Sequence, residues 1–325
     1  MNNLKKIGLT ALAGSLVAGS VSAAELSASG SATMTFTGGD ENANHGNGWT
    51  MADSVTFSAS GDVNDIGITL SLEVDGDAQS EKTNSTETYS SANGSNVLDS
   101  HSISFDFGEA GSLTFAGHGG SGFMDANDDV MPTASEEPWD VLTGADANVV
   151  NGFAGNNMFT YKYSHDTGLN LTLSYINASD AVTDVSYSDY GITYTGMDGL
   201  TVGYGEGDVE QTTGTKTNES TMFAKYTLGS ATVGLQISEN DKESASDTET
   251  TGFGISYQVN DDLAISYGSN TVETVGSTDQ EATAIGISYT MGSLGIAFSV
   301  HQADNIGHTA SDDREGYQLG LSFAF

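Results

Sequence analysis

The sequence has 325 residues and a formal net charge of −36, because 44 aspartates and glutamates stand against only 8 lysines and arginines. So few cations cannot neutralise a phosphate backbone, which excludes nucleic acid as a partner. The absence of cysteine excludes a disulfide framework, a thiol nucleophile and a thiolate metal site.

The first residues predict a secretory signal that is removed after export. Two lysines precede the mostly apolar stretch Ile7–Val21, and Val21-Ser22-Ala23 offers small residues at the cleavage positions. About fifteen residues with several glycines and serines are too few to span the roughly 30 Å of hydrocarbon in a bilayer. We therefore expect residues 1–23 to be cleaved and residues 24–325 to form a single domain, with no later segment suited to a transmembrane helix.

From Leu26 onwards the sequence alternates apolar and polar residues, a pattern typical of β-strands. In the first repeat, apolar or small residues from Leu26 to Phe36 alternate with serines and threonines. The 13 phenylalanines and 13 tyrosines follow such patterns, which argues against a disordered chain of this acidic composition. The alternation predicts about sixteen strands, with starts near Leu26, Ser54, Ile66, Ser100, Ser112, Asn157, Leu169, Val185, Leu200, Ser220, Ala231, Thr251, Leu263, Ala282, Leu294 and Glu315.

The connections between these strands alternate between very short turns and long polar loops. Turns such as Gly108–Gly111 contrast with stretches such as Asp75–Asp99, Glu206–Asn218 and Glu239–Glu249. This rhythm predicts an all-β, antiparallel, up-and-down meander. At this strand number a barrel encloses an aqueous channel, so the polar face should line the lumen. The apolar face is then stable only in lipid, which predicts a transmembrane β-barrel in the bacterial outer membrane.

The last residues, GYQLGLSFAF, place Tyr317, Leu319, Leu321, Phe323 and Phe325 on one face. This segment resembles the C-terminal strand of Gram-negative outer-membrane barrels, and residues 24–325 resemble the general porin family in its alphaproteobacterial branch. The resemblance implies passive diffusion of small hydrophilic solutes and ions through a water-filled pore in the outer membrane. It also implies a homotrimer and a third loop that folds into the pore.

One segment, at about residues 118–156, interrupts the alternation between the fifth and sixth strands. It contains both prolines of the chain, Pro132 and Pro138. Proline cannot donate to a strand ladder, but a loop folded into a lumen has no ladder to disturb. We interpret the segment as the constriction loop, with Phe123 and Trp139 pinning it to the inner wall. The alternative is a long solvated outer loop.

The charges of this loop predict a pore that prefers cations, because rings of carboxylates favour cations and repel anions. The resemblance implies a facing cluster of arginines and lysines, but strand parity directs only Lys162 and Lys225 into the lumen. Lys82, Lys216 and Lys242 are assigned to loops, and Arg314 to the start of the last strand. The expected carboxylates of the constriction are Asp125, Asp128, Asp129, Glu136, Glu137 and Asp140.

A calcium site is the one metal site that the loop suggests. Asp125, Asp128 and Asp129 form an oxygen-rich cluster, although it lacks the spacing and terminal glutamate of an EF-hand loop. Lumen-lining acids are the simpler interpretation. We expect no other cofactor and no enzymatic site, because the histidines lack metal-ligand spacing and no GxSxG motif accompanies the serines.

Two other functional classes remain as alternatives. A substrate-specific channel for cationic amines or sugars would share the barrel, although the inward face offers few aromatics besides Phe223. A secreted calcium-binding β-solenoid would need tandem GGxGxD repeats, which the chain lacks.

Small residues on the early strands predict where copies of the barrel meet. The outer face of the first strand carries Ala28, Gly30 and Ala32, and that of the second carries Ala59. Small residues permit close approach of two membrane-embedded surfaces, so we expect the trimer interface there. The resemblance suggests the loop Asp75–Asp99 as a latch onto a neighbouring chain.

Overall fold

A computed structural model describes residues 25–39, 48–75, 98–147, 150, 155–177, 185–211, 216–243 and 245–325. The predicted signal peptide, residues 1–23, lies outside these ranges. So do Lys82 and residues 76–97 of the predicted latch, and both interpretations therefore stay predictions.

Sixteen β-strands make up most of the described structure, which confirms the predicted number and order. Short helical turns lie at Gly108–Ala110, Asp125–Asn127 and Ile306–His308. The strands are β1 Glu25–Gly39, β2 Gly48–Val63, β3 Ile66–Asp75, β4 Leu98–Asp106, β5 Ser112–His118, β6 Met158–Ser164, β7 Leu169–Ile176, β8 Val185–Met197, β9 Leu200–Gln211, β10 Lys216–Leu228, β11 Ala231–Lys242, β12 Thr248–Gln258, β13 Leu263–Thr274, β14 Gln280–Met291, β15 Leu294–Asp304 and β16 Arg314–Ala324.

Each strand pairs with its neighbours in sequence, and β1 pairs with β16 to close the barrel. At this seam, Gly30 and Phe325 exchange two backbone hydrogen bonds of 2.9 Å each. All of these pairings are antiparallel, as the alternation of short and long connections predicted. Closure removes sheet edges, so backbone donors and acceptors within the wall find partners in the ladder.

The two faces of the wall differ in polarity in the direction that the sequence predicted. On β11, Leu235 points outward and is 47% exposed, whereas the adjacent Gln236 points inward and is 3% exposed. Most of the exposed large apolar side chains lie on the outer face, which is the arrangement of a barrel embedded in lipid. No helix within the described ranges is long and apolar enough to cross a membrane.

Buried apolar residues gather in three small clusters on the inner side of the wall, where other segments cover them. One contains Phe123, Met124, Val150 and Phe223. The others contain Leu142, Ala282, Ala303 and Ile306, and Met158, Ile176 and Tyr187. The lumen is therefore not empty, because the segment between β5 and β6 occupies part of it.

Two of the predicted long loops are shorter than the sequence suggested. The expected loop Glu206–Asn218 is largely strand, because β9 continues to Gln211 and β10 begins at Lys216. The expected loop Glu239–Glu249 is likewise shortened by β11 and β12, so Lys216 and Lys242 are strand residues rather than loop residues. The ladder continues past the apolar band, where outward side chains are polar and the alternation of hydrophobicity disappears.

Candidate functional site

The segment between β5 and β6 leaves the wall and returns to it at nearly the same place, so its two ends lie side by side. Gly120 and Gly155 exchange two backbone hydrogen bonds, of 3.0 and 2.9 Å, which bring the two ends of the segment together. Just after Gly120, Phe123 and Met124 are almost completely buried. The described part of the predicted loop, residues 119–147, 150 and 155–157, therefore packs inside the barrel, and a wholly solvated outer loop does not describe it.

Inward-facing glycines on the wall provide the room for the start of this loop. Gly191 of β8 and Gly205 of β9 are directly opposite each other in the ladder. A Cβ atom on Gly191 would lie 2.1 Å from the Phe123 ring, and one on Gly205 would lie 2.3 Å from it. These distances are too short for any side chain, so the Phe123 ring occupies the space that the two glycines leave. Phe123 thus pins the loop, as predicted.

The two prolines of the chain lie against further inward glycines. Gly234 of β11 and Gly254 of β12 form another opposed pair, and Cβ atoms there would lie 2.6 and 2.9 Å from Pro132 Cδ. A Cβ on Gly268 of β13 would lie 3.1 Å from Pro138 Cγ. We call these inward glycines, Gly191, Gly205, Gly234, Gly254 and Gly268, the glycine seats. The prolines restrict the loop backbone where it rests on the wall and needs no ladder partner.

Two wall glutamines satisfy loop backbone groups that the strands cannot reach. Gln236 accepts from Val130 N at 3.2 Å and donates to Asn127 O at 2.8 Å. Gln280 accepts from Asp146 N at 2.8 Å and donates to the carbonyl of the same residue at 2.9 Å. Both glutamines are almost completely buried beneath the loop. Each amide pairs a loop donor and a loop acceptor, which removes the cost of burying them unpaired.

The far end of the loop reaches β15 and β16. His301 Nδ1 lies 3.2 Å from Pro138 O, and Gln318 Nε2 donates to Glu136 Oε1 at 2.6 Å. Arg314 donates to Thr143 O and also pairs with Asp312 at 2.9 Å. Trp139, the second predicted anchor, is half-buried. The loop thus follows the inner wall from β8 round to β16 and narrows the lumen along that path.

Three loop carboxylates lie close together at this far end. Oxygen atoms of Glu136, Glu137 and Asp140 all lie within 4.8 Å of one another, and Asp140 Oδ2 accepts from Glu137 N at 3.1 Å. Burial, the hydrogen bond with Asp140 and the charges of Asp140 and Asp129 raise the pKa of Glu137 well above its usual range. Burial and Asp140 also raise the pKa of Glu136. This group of three therefore carries fewer than three negative charges at neutral pH.

The predicted calcium ligands precede this group in the loop, and Asp129 is close enough for its charge to act on Glu137. Burial, followed by the charges of Asp129 and Asp125, raises the pKa of Asp128 to about 6. Burial and the charge of Asp140 raise the pKa of Asp129. Within the described chain, Asp125, Asp128 and Asp129 do not form a group close enough to share one ion; Glu136, Glu137 and Asp140 do. Calcium binding by the first three remains a prediction.

The two lysines predicted to face the lumen occupy different depths. Lys225 shares the inward face of β10 with the buried Thr221 and Phe223, and its Cγ would lie 3.3 Å from a Cβ on Gly234, beside Pro132. Lys162 lies opposite Ser112, the first residue of β5, and therefore at the short-turn mouth of the barrel. The structure brings Lys225 to the loop and leaves Lys162 at that mouth.

The family of the chain follows from comparison with known proteins. A model of the Gram-negative porin family matches residues 8–325. The chain belongs to the Gram-negative porin family. It is therefore a channel protein of the bacterial outer membrane, in a family of diffusion channels rather than enzymes. A comparison with curated protein sequences finds no match.

Solved structures of low sequence identity share the fold of this porin. The anion-selective porin from Comamonas acidovorans is 14% identical with a TM-score of 0.69, over 93% of this chain and 100% of that one. OmpT of Vibrio cholerae, in a trimer form, is 13% identical with a TM-score of 0.67, over 93% and 99%. A mutant of the Rh. blastica porin is 14% identical with a TM-score of 0.64, over 93% and 100%.

The glycine seats are the part of the site that sequence reasoning missed. The signal was present, because glycine recurs at inward positions of β8, β9, β11, β12 and β13 of this porin. In the sequence alone, each of these glycines is indistinguishable from any other small residue on a polar face. Only the strand register shows that some of them lie opposite one another. Inward glycines that lie opposite one another in neighbouring strands predict a segment packed against the wall.

We expect Gly205→Val to release the start of the loop from the wall. The valine side chain would overlap the Phe123 ring, and overpacking of this kind costs roughly 1–3 kcal/mol. Cleavage by chymotrypsin within the loop of the folded barrel should become about tenfold faster, because cleavage follows the population of the open form.

Gly320→Val is the matched control, because Gly320 also faces inward and a Cβ there would meet nothing within 4 Å. It should leave the cleavage rate unchanged. Equal protection of both variants would show that Phe123 does not hold the loop through the Gly191–Gly205 seat.

Proposed function

We propose that this porin prefers cations and that the carboxylates of its third loop set the preference. The observation that carries the proposal is the position of the loop: its acidic side chains follow the inner wall, and of the two lysines predicted to face the lumen only Lys225 lies beside it. Two further cations reach the loop: Arg314, which also pairs with Asp312, and Lys242, which lines one space with Asp146. The carboxylates of the loop outnumber these cations. Two unit charges about 6 Å apart interact by roughly 3 kcal/mol at an effective dielectric near 20. Several carboxylates can then bias permeation by about 1 kcal/mol even after screening by salt.

Selectivity in this fold depends on side chains rather than on the barrel. The Comamonas acidovorans porin that shares the fold is named anion-selective. If this chain prefers cations as proposed, the shared wall does not decide the preference, and the charges that line the narrowest part do. For this chain we assign that role to Asp125, Asp128, Asp129, Glu136, Glu137 and Asp140, with Glu137 contributing least because burial, followed by Asp140, raises its pKa to about 9.

The pH dependence of selectivity tests this assignment. Because the pKa of Asp128 is raised to about 6, the group is charged above that pH and neutral below it. Its contribution to cation preference should be present at pH 7.5 and lost at pH 5. We expect the ratio of cation to anion permeability to fall by about twofold over this range, because Asp128 is one of several carboxylates that together contribute about 1 kcal/mol. The measurement is the reversal potential across a planar bilayer under a salt gradient.

Variants separate the loop residues from the rest of the chain. Asp128→Asn should lower cation preference at pH 7.5 and reduce its change with pH. Glu137→Gln should change little at pH 7.5, because its raised pKa keeps that carboxyl protonated. Amides at all six loop positions should bring the reversal potential near zero, whereas amides in Glu239–Glu249 should do much less. A wild-type pore that prefers chloride, or amides that leave the potential unchanged, would refute the proposal.

We propose passive diffusion without a tight solute site, in preference to a substrate-specific channel for sugars or cationic amines. Phe223, the inward aromatic considered for stacking on a sugar, is 5% exposed, and a Cβ on Gly203 would lie 2.2 Å from its ring. Its ring is therefore covered rather than presented to the lumen. This observation weighs against sugars and leaves cationic amines open.

Flux into liposomes provides the test of that choice. Uptake of uncharged sugars and of small amines should rise linearly with concentration and fall with solute size, in either direction across the membrane. Saturation by one solute in the micromolar range would instead establish a specific channel.

We propose that the porin forms a homotrimer through β1 and β2. Ala28 and Ala32 of β1 and Ala59 of β2 lie on the outer face, where small side chains permit close approach. Gly30, the other small residue predicted at the interface, is explained by packing within a single chain, because a Cβ there would lie 2.8 Å from the Phe325 ring. The trimer form of OmpT, which shares the fold, supports the proposal.

Native mass spectrometry in mild detergent should give the mass of three chains. Ala28→Trp should shift the distribution toward monomer, because the indole would separate the two surfaces. Ile285→Trp, an outward position of β14 on another part of the wall, should leave the trimer intact. A wild-type protein that is monomeric in detergents which preserve channel activity would contradict the proposal.

A further inference from the structure

An apolar groove of about 550 Å³ lies on the outer wall of β8 to β11, on the side that faces the bilayer. Ala224 lies in this groove, and its register neighbours Val202 and Leu235 are both larger. Tyr204 and Met222 stand beside them toward the loop end of the strands. The small side chain of Ala224 between larger ones makes the depression, and its volume lies in the range of ligand pockets.

A polar recess of about 410 Å³ adjoins the groove on the same outer face, nearer the loop end. Its lining includes Tyr190 and the carboxylates of Glu206, Asp208, Glu239 and Asp241. Asp208 is already paired with Lys216 at 3.2 Å, which leaves Glu206, Glu239 and Asp241 to face a bound cation. Glu206 connects the two spaces, because it accepts from the hydroxyl of Tyr190 in the recess and from that of Tyr204 in the groove. The groove and the recess therefore form one continuous surface, apolar at one end and acidic at the other.

The acidic end continues across the wall in register. Ser220 lies between Glu206 and Glu239 in the ladder, and Glu239 is directly opposite Glu249, which is directly opposite Glu273. Like charges directly opposite each other destabilise a sheet. The chain places this repulsion on its outer face just beyond the apolar band, at the level where lipid headgroups begin. A positively charged group bound there would relieve it.

We propose that this surface binds a lipid whose acyl chain fills the groove and whose headgroup presents a primary ammonium to the acidic recess. An ammonium is a compact charge with three donors, which suits carboxylates spread over neighbouring strands. A chelated divalent ion fits less well. Within the described chain, the carboxylates that approach within 4.8 Å of one another as a group of three are those of the lumen loop, not those of the outer wall.

Packing and hydrogen bonding must supply the selectivity, because an acyl chain gains no hydrophobic free energy by moving from bilayer to groove. The groove distinguishes a bound lipid from the surrounding bilayer by its shape at Ala224. The recess distinguishes headgroups by charge and by donors. A choline headgroup carries a positive charge but has no N–H donors. A glycerol headgroup has neither a positive charge nor N–H donors.

The test uses the purified full barrel in nanodiscs that contain equal amounts of three lipids with identical acyl chains, bearing ethanolamine, choline and glycerol phosphate headgroups. After gentle extraction, native mass spectrometry counts the lipids retained on each barrel. The ethanolamine lipid should be retained at least fivefold over the choline lipid. Ala224→Trp, which fills the groove, and the pair Glu206→Gln with Glu239→Gln should each abolish that excess.

Matched controls lie on β14, away from the groove. Ile285→Trp adds the same indole to the outer face, and Glu281→Gln removes an outward carboxylate that is opposite Asp304. Both should keep the excess. The glutamine pair changes no packing volume, so it tests the proposal even if Ala224→Trp does not assemble. Equal retention of ethanolamine and choline lipids would overturn it, as would retention of the glycerol lipid that requires Mg²⁺ and is lost to a chelator.

Discussion

Every backbone donor and acceptor that lies in hydrocarbon must find a partner in the protein, and the rest of this structure depends on that constraint. The wall meets it by closing β1 onto β16, down to the paired backbone groups of Gly30 and Phe325. A closed wall of sixteen strands is too wide for its own side chains to fill. The inside is therefore left for water and for a segment of chain that the wall must hold without a ladder.

The backbone groups of the loop inside the barrel also need hydrogen-bond partners. Its backbone is irregular, so strands cannot satisfy it, and side chains of the wall do so instead: Gln236 and Gln280 each serve one donor and one acceptor. Close approach requires the absence of side chains elsewhere, which the glycine seats provide. The two prolines belong to the same arrangement, because both lie against seats, where a fixed φ costs no hydrogen bond.

Period two along the chain was sufficient to predict sixteen strands, their order, the inward face and a loop in the lumen, because alternation at a lipid–water wall is a local property. It failed where outward residues are polar, so the ends of β9 to β12 and the placement of Lys216 and Lys242 were wrong. The seats depend on register: Gly191 meets Gly205 only after the pairing of β8 with β9 is known. The raised pKa of Glu137 depends on its burial and on the approach of Asp140 within a folded loop. Neither the distance between Gly191 and Gly205 nor that between Glu137 and Asp140 can be predicted from a pattern in the sequence.

A count of carboxylates is therefore a poor measure of the charge that an ion meets. The chain is strongly acidic, yet many of its acids, including Glu239, Glu249 and Glu273, face outward near the loop end of the wall rather than the lumen. Inside, burial and mutual repulsion raise the pKa values of Asp128, Asp129, Glu136 and Glu137, so the loop gives up charge at the places where it packs most closely. Packing and charge oppose each other here, because a loop held more tightly against the wall desolvates its acids further. If the loop sets the selectivity as proposed, the field in the pore depends on how firmly the glycine seats hold the loop, as well as on which acids the loop carries.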